Sequence, residues 1–369
     1  MSENERRILK RDPHPHLFRP IRFRSVEAPN RIMLSPMCQY CATDGMPDDW
    51  HMVHLGSRAV GGVGIVFTEA VHCEPRGRIT NYCLGLWNDH QRDSFARIAK
   101  FIKAQGAVAA IQIGHAGRKA STMRPWEGSQ SLPVEQGGWE VIGPSALAFA
   151  KGFPTPSAMD AAAIDAVTES MAASARRARE AGFQIIEIHA AHGYLLHQFM
   201  SPLSNQRNDR YGGSFDNRIR FLMETIDAVR AEWPKELPLF VRLSLSDHVD
   251  GGWDLAQSIE LCRRLKASGD VDLIDCSSGG NDPRQSMKIH PGYQVPYAET
   301  IRREAQIPTA AVGLIHSADM AEQILANGQA DLVVLGRTLM SKPYWPLDAS
   351  RSLRADTRWP IQYERSNIF

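Results

Sequence analysis

One short run of the chain carries two histidines and a tyrosine, namely His189, His192 and Tyr194. Two imidazole N–H groups can donate hydrogen bonds to a single oxygen of a substrate, and a phenol beside them can supply a proton. A metal site would need a third or fourth ligand of the same kind, and none can be placed from the sequence. A pair of packed, hydrogen-bonded structural histidines is the alternative interpretation.

Glycine and arginine stand at the ends of two later apolar runs, as Gly313 and as the neighbours Gly336 and Arg337. Glycine lets backbone N–H groups come close to an anion, and arginine can bind that anion with two parallel hydrogen bonds. The pattern indicates a phosphate site, with plain turn glycines and a surface arginine as the alternative.

Cys38 and Cys41 form a C-x-x-C motif. Thioredoxin-like chemistry would need this motif at the start of a helix in a smaller βαβ unit, and zinc would need a second such pair. The motif is therefore interpreted as a loop with an ordinary cysteine. Four other histidines are scattered and are explained by surface positions or core packing: His14, His16, His51 and His54.

Several common catalytic signatures are missing. The apolar runs contain no lysine for a Schiff base, and neither H-E-x-x-H nor G-x-S-x-G occurs. Glu69 is nearly alone among carboxylates at the run ends, which disfavours a paired-carboxylate glycosidase. The remaining polar residues are mostly neutral, and such a set suits a site that holds a cofactor and lets it do the chemistry.

Eight apolar runs rich in β-branched residues must position these groups. Their continuous apolar character is typical of strands buried on both faces of a parallel sheet. The predicted strands are Ile32–Ser35, Gly64–Ala70, Ala107–His115, Ile185–Ala191, Leu239–Ser244, Leu273–Ser278, Thr309–Leu314 and Leu332–Arg337.

Helical patterns separate these strands, and Gly106 and Gly182 stand where glycines commonly follow a helix end. The alternation predicts an α/β fold, a (β/α)8 TIM barrel, whose active site lies at the C-terminal ends of the strands. A doubly wound sheet is the alternative, although no G-x-G-x-x-G motif follows the first strand. The predicted helices are Asp89–Gln105, Asp160–Gly182, Ser214–Trp233, Asp254–Ala267, Val295–Ala305 and Ser317–Asn327.

Residues 116–157 form a connection that is too long for a compact barrel and rich in Gly, Pro, Trp and Ser. We expect this segment to leave the barrel and cap its mouth, with a short hairpin. The whole chain, residues 1–369, is then a single domain with a tail over residues 343–369.

Composition excludes several other classes of protein. Hydrophobic residues make up 43% and charged residues 22% of the 369 residues, as in ordinary globular proteins. The 42 basic and 41 acidic residues leave no field that would attract nucleic acid or a membrane surface. Met1 to Pro20 lacks the apolar region of a secretion signal, no run of about 18 apolar residues occurs, and six cysteines do not form a disulfide scaffold. A cytoplasmic enzyme is expected.

The ordered motifs resemble the Old Yellow Enzyme family of flavin-dependent ene-reductases, in its bacterial thermophilic-like branch. Cys38 stands where the yeast and plant enzymes have threonine, and His192 where many have asparagine. The matching segments run through nearly the whole chain: residues 30–38 (NRIMLSPMC), 57–59 (SRA), 115–119 (HAGRK), 189–194 (HAAHGY), 201–202 (SP), 208–214 (NDRYGGS), 336–337 (GR) and 363–365 (YER).

The resemblance implies a non-covalent FMN across the barrel mouth. Arg242 would lie near flavin N1 and O2, and Lys119 matches another position near the flavin. The remaining implied cofactor residues are Ser35, Pro36, Met37 and Cys38 at the reactive edge, Ala70 and Gln112 on the pyrimidine side, and Gly313, Gly336 and Arg337 at the phosphate.

The same resemblance implies the reaction. NADPH or NADH would reduce the flavin, and the substrates would be α,β-unsaturated carbonyls and related activated alkenes, with nitro compounds as further candidates. His189 and His192 would bind the activating oxygen, with Tyr40 nearby and Tyr194 as proton donor. Trp126 and Trp359 match a xenobiotic-reductase subset in which bulky rings narrow the pocket.

The resemblance further implies a homodimer or a higher homo-oligomer. Arg365 would reach from the C-terminal tail into the pocket of the partner subunit. Two alternatives remain open at this point. One is a flavin-binding redox sensor that uses Cys38 and Cys41, and the other is an enzyme like 2,4-dienoyl-CoA reductase, for which the cysteine spacing of an iron–sulfur cluster is missing.

Overall fold

Eight parallel strands close into a barrel in the computed structural model, which describes residues 14–367. The order around the barrel is β3-β4-β5-β8-β9-β10-β11-β12, so the predicted (β/α)8 architecture is confirmed. The strands of the chain are β1 (Ile21–Phe23), β2 (Val26–Ala28), β3 (Ile32–Leu34), β4 (Ile65–His72), β5 (Val108–Gly114), β6 (Ile142–Gly143), β7 (Ser157–Ala158), β8 (Ile185–Ala190), β9 (Leu239–Ser244), β10 (Leu273–Ser277), β11 (Thr309–Ala311) and β12 (Leu332–Leu335).

All eight predicted strands are present because each is buried on both faces. Every residue of β4 and every residue of β5 is buried. Strand ends differ from the prediction by a few residues, most at β11, which ends at Ala311 rather than at Leu314. An antiparallel pair, β1 and β2, precedes the barrel and was not predicted.

Ten α-helices surround the barrel within the described range. The six predicted helices are all observed, and Gly106 and Gly182 follow their helices with φ of 86° and 85°. The helices are α1 (Asp49–Val60), α2 (Asp89–Ala104), α3 (Ala161–Glu180), α4 (Leu195–Met200), α5 (Phe215–Glu232), α6 (Leu255–Ser268), α7 (Val295–Ala305), α8 (Ala318–Ala326), α9 (Arg337–Ser341) and α10 (Trp345–Leu353).

Helix α1 was missed by the sequence analysis. Its N-cap Asp48 accepts hydrogen bonds from the backbone N–H groups of Trp50 and His51, and the His51 side chain accepts from Asp48 N–H. This is a reciprocal capping box in which histidine replaces the usual Glu or Gln. The substitution hid the start of the helix and left His51 looking like an isolated residue.

Two apolar layers hold the site in place. One fills the lower interior of the barrel with side chains such as Val108, Ile185, Phe240 and Leu273, and Phe240 is fully buried. The larger layer packs the helices on the outside of the strands. Apolar side chains fill the lower interior of the barrel and the space between the strands and the helices. A ligand cavity can therefore open only at the opposite end of the barrel.

Residues 116–157 contain little regular structure. They form three 3-10 turns, Gly117–Lys119, Pro125–Glu127 and Val134–Gln136, and β6 pairs with β7 in parallel. The expected hairpin is reduced to a single antiparallel bridge between Thr122 and Ser131. Across residues 14–367, no helix is both long and apolar enough to cross a membrane.

Candidate active site

A cavity of about 560 Å³ opens at the C-terminal ends of the barrel strands. This volume lies within the usual range of ligand sites. Most of the predicted site residues line this cavity, whereas Lys119, Trp126, Trp359 and Arg365 do not. The residues that line it are Ser35, Pro36, Met37, Cys38, Tyr40, Ala70, Gln112, His189, His192, Tyr194, Arg242, Gly313, Gly336 and Arg337.

The two histidines are presented by a strained turn at the end of β8. His192 has φ of 59°, and Gly193 has φ of 71°. A Cβ atom on Gly193 would lie 2.3 Å from the Gly280 carbonyl oxygen, so only glycine fits at this position. The Ser244 hydroxyl accepts a hydrogen bond of 2.9 Å from His192 N–H and holds the turn against the next strand.

The imidazole nitrogens converge on one point of the cavity. His189 Nδ1 accepts a hydrogen bond from Ala191 N–H at 3.2 Å, so its proton belongs on Nε2. That Nε2 lies 3.4 Å from His192 Nδ1, while His192 Nε2 lies 2.7 Å from the Ser277 hydroxyl oxygen. If Ser277 donates to Nε2, both facing nitrogens carry protons that a ligand oxygen can accept.

Burial holds both rings neutral. It lowers the pKa of His189 and of His192 well below the ordinary value, and the positive charge of Arg242 lowers both further. Neutral imidazoles act as hydrogen-bond donors and not as acids.

We therefore predict that neither histidine titrates near pH 6.5, because burial and the charge of Arg242 hold each folded pKa well below this ordinary value. Long-range ¹H–¹⁵N NMR of histidine-labelled protein checks this. Protonation of His189 or His192 near pH 6.5 would contradict it.

Tyr194 lies directly beside this pair. Its ring centroid is 4.8 Å from that of His189, and it immediately precedes α4. Burial raises the pKa of Tyr194 above its ordinary value, and the charge of an ionised Cys38 would add to this effect. The phenol therefore keeps its proton until a strong base forms next to it.

Lys119, which the resemblance places near the flavin, contacts the backbone of the histidine turn. Its Nζ atom donates hydrogen bonds to the carbonyl oxygens of His192, at 2.9 Å, and Gly280, at 2.8 Å. It is not among the residues that line the cavity. Burial lowers the pKa of Lys119 to about 8. Lys119 is a positioning residue that supports the histidine turn from behind.

Arg242 brings a fixed positive charge to the cavity floor. Its Nε lies 3.2 Å from Asp275 Oδ2, and its Nη1 donates to the Ser35 hydroxyl at 3.3 Å. Next to it, Gln112 Nε2 donates to Glu187 Oε1 at 2.8 Å. The sequence analysis missed both carboxylates because they sit within apolar strands.

The two predicted phosphate loops follow β11 and β12. A Cβ on Gly313 would lie 3.1 Å from Gln294 N, and one on Gly336 would lie 3.2 Å from Met37 Sδ. A side chain at either glycine would therefore crowd these neighbours, and Arg337 lines the same cavity. A flat polar ring over Arg242 and Gln112, with a phosphate at these loops, fits this set of donors.

The C-x-x-C cysteines have different partners. Cys38 lines the cavity, and a hydrogen bond with Cys83, followed by burial, raises the pKa of the Cys38 thiol. Cys41 Sγ instead lies 3.6 Å from His51 Nε2. His51 Nε2 also lies 3.3 Å from Glu69 Oε1, so His51 contacts a buried carboxyl group rather than standing as an isolated histidine.

Three aromatic or charged residues named above lie outside the cavity of their own chain. Arg365 is exposed on the turn Glu364–Ser366. Trp359 lies 4.3 Å from the Arg351 guanidinium, and Trp126 is 64% exposed with its ring 6.0 Å from that of Tyr40. Within one chain, neither tryptophan narrows the pocket.

The cavity also has walls that the sequence analysis did not assign. Tyr293, Gln294 and His316 come from loops without periodic patterning, and Thr338 and Ser341 belong to the short helix α9. Only the general rule that the segments after barrel strands form the site could have suggested them.

A closed parallel barrel with a polar, phosphate-compatible mouth defines the class of barrel flavoenzymes. The chain belongs to the NADH:flavin oxidoreductase / NADH oxidase family, whose model matches residues 16–356. It is 47% identical over 351 residues to an NADPH dehydrogenase of Geobacillus thermodenitrificans, covering 95% of this chain and 98% of that protein. It is 45% identical to the NADPH dehydrogenase of Bacillus subtilis, with the same coverage.

Solved structures agree with this membership. Morphinone reductase is 26% identical with a TM-score of 0.77, over 94% of this chain and 92% of the other. A 2-naphthoyl-CoA reductase is 26% identical with a TM-score of 0.83, but this chain spans only 52% of its length. The resemblance to the Old Yellow Enzyme family is confirmed, and the protein is an NAD(P)H-dependent flavin oxidoreductase that uses FMN.

Proposed function

We propose that this enzyme reduces the C=C bond of α,β-unsaturated carbonyls and related activated alkenes, and that nitro compounds are further substrates. The observation that carries the proposal is the convergence of two neutral imidazoles, with facing nitrogens 3.4 Å apart, beside the protonated Tyr194. This arrangement suits a substrate that gains negative charge on one oxygen and then needs a proton on carbon.

FMN, bound non-covalently, supplies the hydride that it receives from NADPH or NADH. The residues of the chain do the rest. His189 and His192 bind the activating oxygen and stabilise the charge that develops there. Tyr40 lines the same wall, and Tyr194 holds a proton for the substrate carbon on the side opposite the hydride. Arg242 would help to hold the cofactor, and its guanidinium would stabilise negative charge on the reduced ring.

Exposed apolar side chains on and near the C-terminal tail support the proposal of a homodimer in which Arg365 completes the partner's site. Ile361 is 78% exposed and Tyr363 is 40% exposed on the same tail. Near the start of the tail, Trp50, Val53 and Met340 share a surface groove, and each of the three is at least 50% exposed. A single chain leaves these apolar groups in water, which is typical of a surface that another chain covers.

Cys38→Ala is expected to shift the reduction potential of the bound flavin and to leave enone reduction measurable. The neutral Cys38 thiol lies at the cavity wall, and the substrate needs a hydride rather than covalent attack. Potentials are measured by equilibrium dye reduction, with Cys41→Ala as the matched control outside the cavity. Complete loss of turnover with FMN still bound would show covalent chemistry instead.

The proposal is tested with purified enzyme and a panel of enones, maleimides and nitro compounds, each assayed with NADPH and NADH. We expect a yellow protein that releases FMN on denaturation and turns over several enones. Release of FAD would overturn the cofactor assignment. Flavin binding with slow turnover on every enone would favour the redox sensor.

All six cysteines are free thiols, which supports the proposed cytoplasmic location.

A further inference from the structure

Three charged side chains lie buried beneath the cavity on neighbouring strands. Glu187 on β8 and Asp275 on β10 are both 0% exposed, and Arg242 on β9 is 5% exposed. Arg242 pairs in register with Asp275 on one side and with His189 on the other. Arg242 and Asp275 therefore share the register of His189, and Glu187 lies two residues below it on β8; we call these three side chains the charged layer.

This layer sits between an apolar floor and the site. Alternate residues of a strand face the same side, so Ile185, Glu187 and His189 rise in sequence along the interior of β8. Ile185 belongs to the apolar layer that fills the lower barrel, and His189 lines the cavity. A charge in the middle layer is thus shielded from water below and faces the cofactor position above.

The charged layer contains two carboxyl groups and only one guanidinium. Arg242 Nε lies 3.2 Å from Asp275 Oδ2, whereas the contact recorded for Glu187 is the 2.8 Å hydrogen bond that its Oε1 accepts from Gln112. Among residues 14–367, Glu187 Oε2 and both carboxyl oxygens of Asp275 have no hydrogen-bond partner, but only Asp275 has the Arg242 guanidinium within ion-pair distance. Two buried carboxylates beside one guanidinium would leave an uncompensated negative charge in a low dielectric.

We propose that Glu187 and Asp275 together hold one proton, with Asp275 as the counter-ion of Arg242 and Glu187 as a neutral acid that positions the Gln112 amide. The proton belongs on Glu187 Oε2, the oxygen without a partner, while Oε1 accepts from Gln112. Burial raises the pKa of Glu187 well above its ordinary value, and the charge of Asp275 raises it further against the opposing effect of Arg242.

The arrangement has a consequence for the cofactor. One Nε2 hydrogen of Gln112 donates to Glu187, which fixes the orientation of the amide and makes Oε1 its acceptor for an N–H group in the cavity. The charged layer is also neutral overall, so the electrons taken up by FMN do not meet a net negative charge below them. This inference rests on FMN binding and not on the identity of the alkene substrate.

Infrared spectroscopy of the holoenzyme tests the proton directly. We expect a carboxylic-acid C=O band that shifts when glutamate is ¹³C-labelled, does not shift when aspartate is labelled, and disappears in Glu187→Gln. Glu69→Gln is the control, because Glu69 is also buried and its pKa is also raised by burial. A band that shifts only with labelled aspartate, or that survives Glu187→Gln, would overturn the proposal.

The reduction potential of bound FMN gives an independent readout. Glu187→Gln replaces one neutral group by another, so its potential should match the wild type. The double variant Glu187→Gln/Asp275→Asn leaves Arg242 without a counter-ion, so its potential should be more positive. If both carboxyls are ionised in the wild type, Glu187→Gln alone will already shift the potential, and the proposal fails.

Glu187→Leu tests the positioning role. It removes the acceptor of the Gln112 amide, and we expect FMN to bind about 2- to 10-fold more weakly, as for the loss of one neutral hydrogen bond. Glu187→Gln restores an acceptor and should restore the FMN Kd. Equal binding by Leu and Gln variants would refute the positioning role. If a variant does not fold, isotope labelling of the wild-type enzyme still decides where the proton lies.

Discussion

Tyr194→Phe is expected to slow enone reduction by roughly 10²-fold or more, because it removes the general acid from the pocket and leaves the hydride source in place. Flavin reduction by NADPH should persist at nearly the wild-type rate. Tyr194 adjoins His189 with ring centroids 4.8 Å apart, and burial keeps its phenol protonated. Anaerobic stopped-flow measurements follow the two half-reactions separately.

Two control variants identify which tyrosine donates the proton to the substrate. Tyr297→Phe changes a partly buried tyrosine whose ring contacts His248, away from the cavity lining, and should affect neither half-reaction. Tyr40→Phe changes the other phenol among the predicted site residues. A larger loss in Tyr40→Phe than in Tyr194→Phe would assign the proton to Tyr40, and equal impairment of both half-reactions by Tyr194→Phe would refute the general-acid role.

Mixing two inactive variants is expected to restore activity if Arg365 acts in the partner's site. Arg365→Ala subunits keep His189, and His189→Ala subunits keep Arg365, so each mixed dimer contains one complete site. Random exchange should yield about a quarter of the wild-type activity, since half of the dimers are mixed and each has one working site of two. Arg365 is exposed and does not line the cavity of its own chain, as this arrangement requires.

A second mixture serves as the negative control, because both of its substitutions lie in the pocket of their own chain. His189→Ala and Tyr194→Phe both damage the pocket of their own chain, so their mixed dimers contain no complete site and should regain nothing. If the Arg365→Ala mixture also stays inactive while native mass spectrometry shows mixed dimers, Arg365 acts within its own chain or outside the site.

The barrel could be predicted because its signals are local. A strand buried on both faces needs mostly apolar residues, and β4, β5 and β9 each consist mostly of them. The strand ends then locate the cavity, which explains why so many of its residues could be named. Their chemical roles came from the family resemblance, not from the strand pattern.

The supporting residues could not be predicted because their roles depend on other strands. Glu187 and Asp275 matter through Arg242, and nothing in either local sequence shows that the three side chains meet. Lys119 was placed beside the flavin, yet it binds the carbonyl of His192, a contact 73 positions along the chain. His51 was hidden because a histidine completes its capping box.

One measurement tests the ene-reductase account most directly. Enzyme reduced anaerobically with one equivalent of NADPH is mixed with 2-cyclohexenone, and the flavin absorbance and the organic product are followed together. The account predicts that the yellow colour returns and that one cyclohexanone forms per FMN. A flavin that stays reduced in the enone and is oxidised only when oxygen is admitted would contradict it.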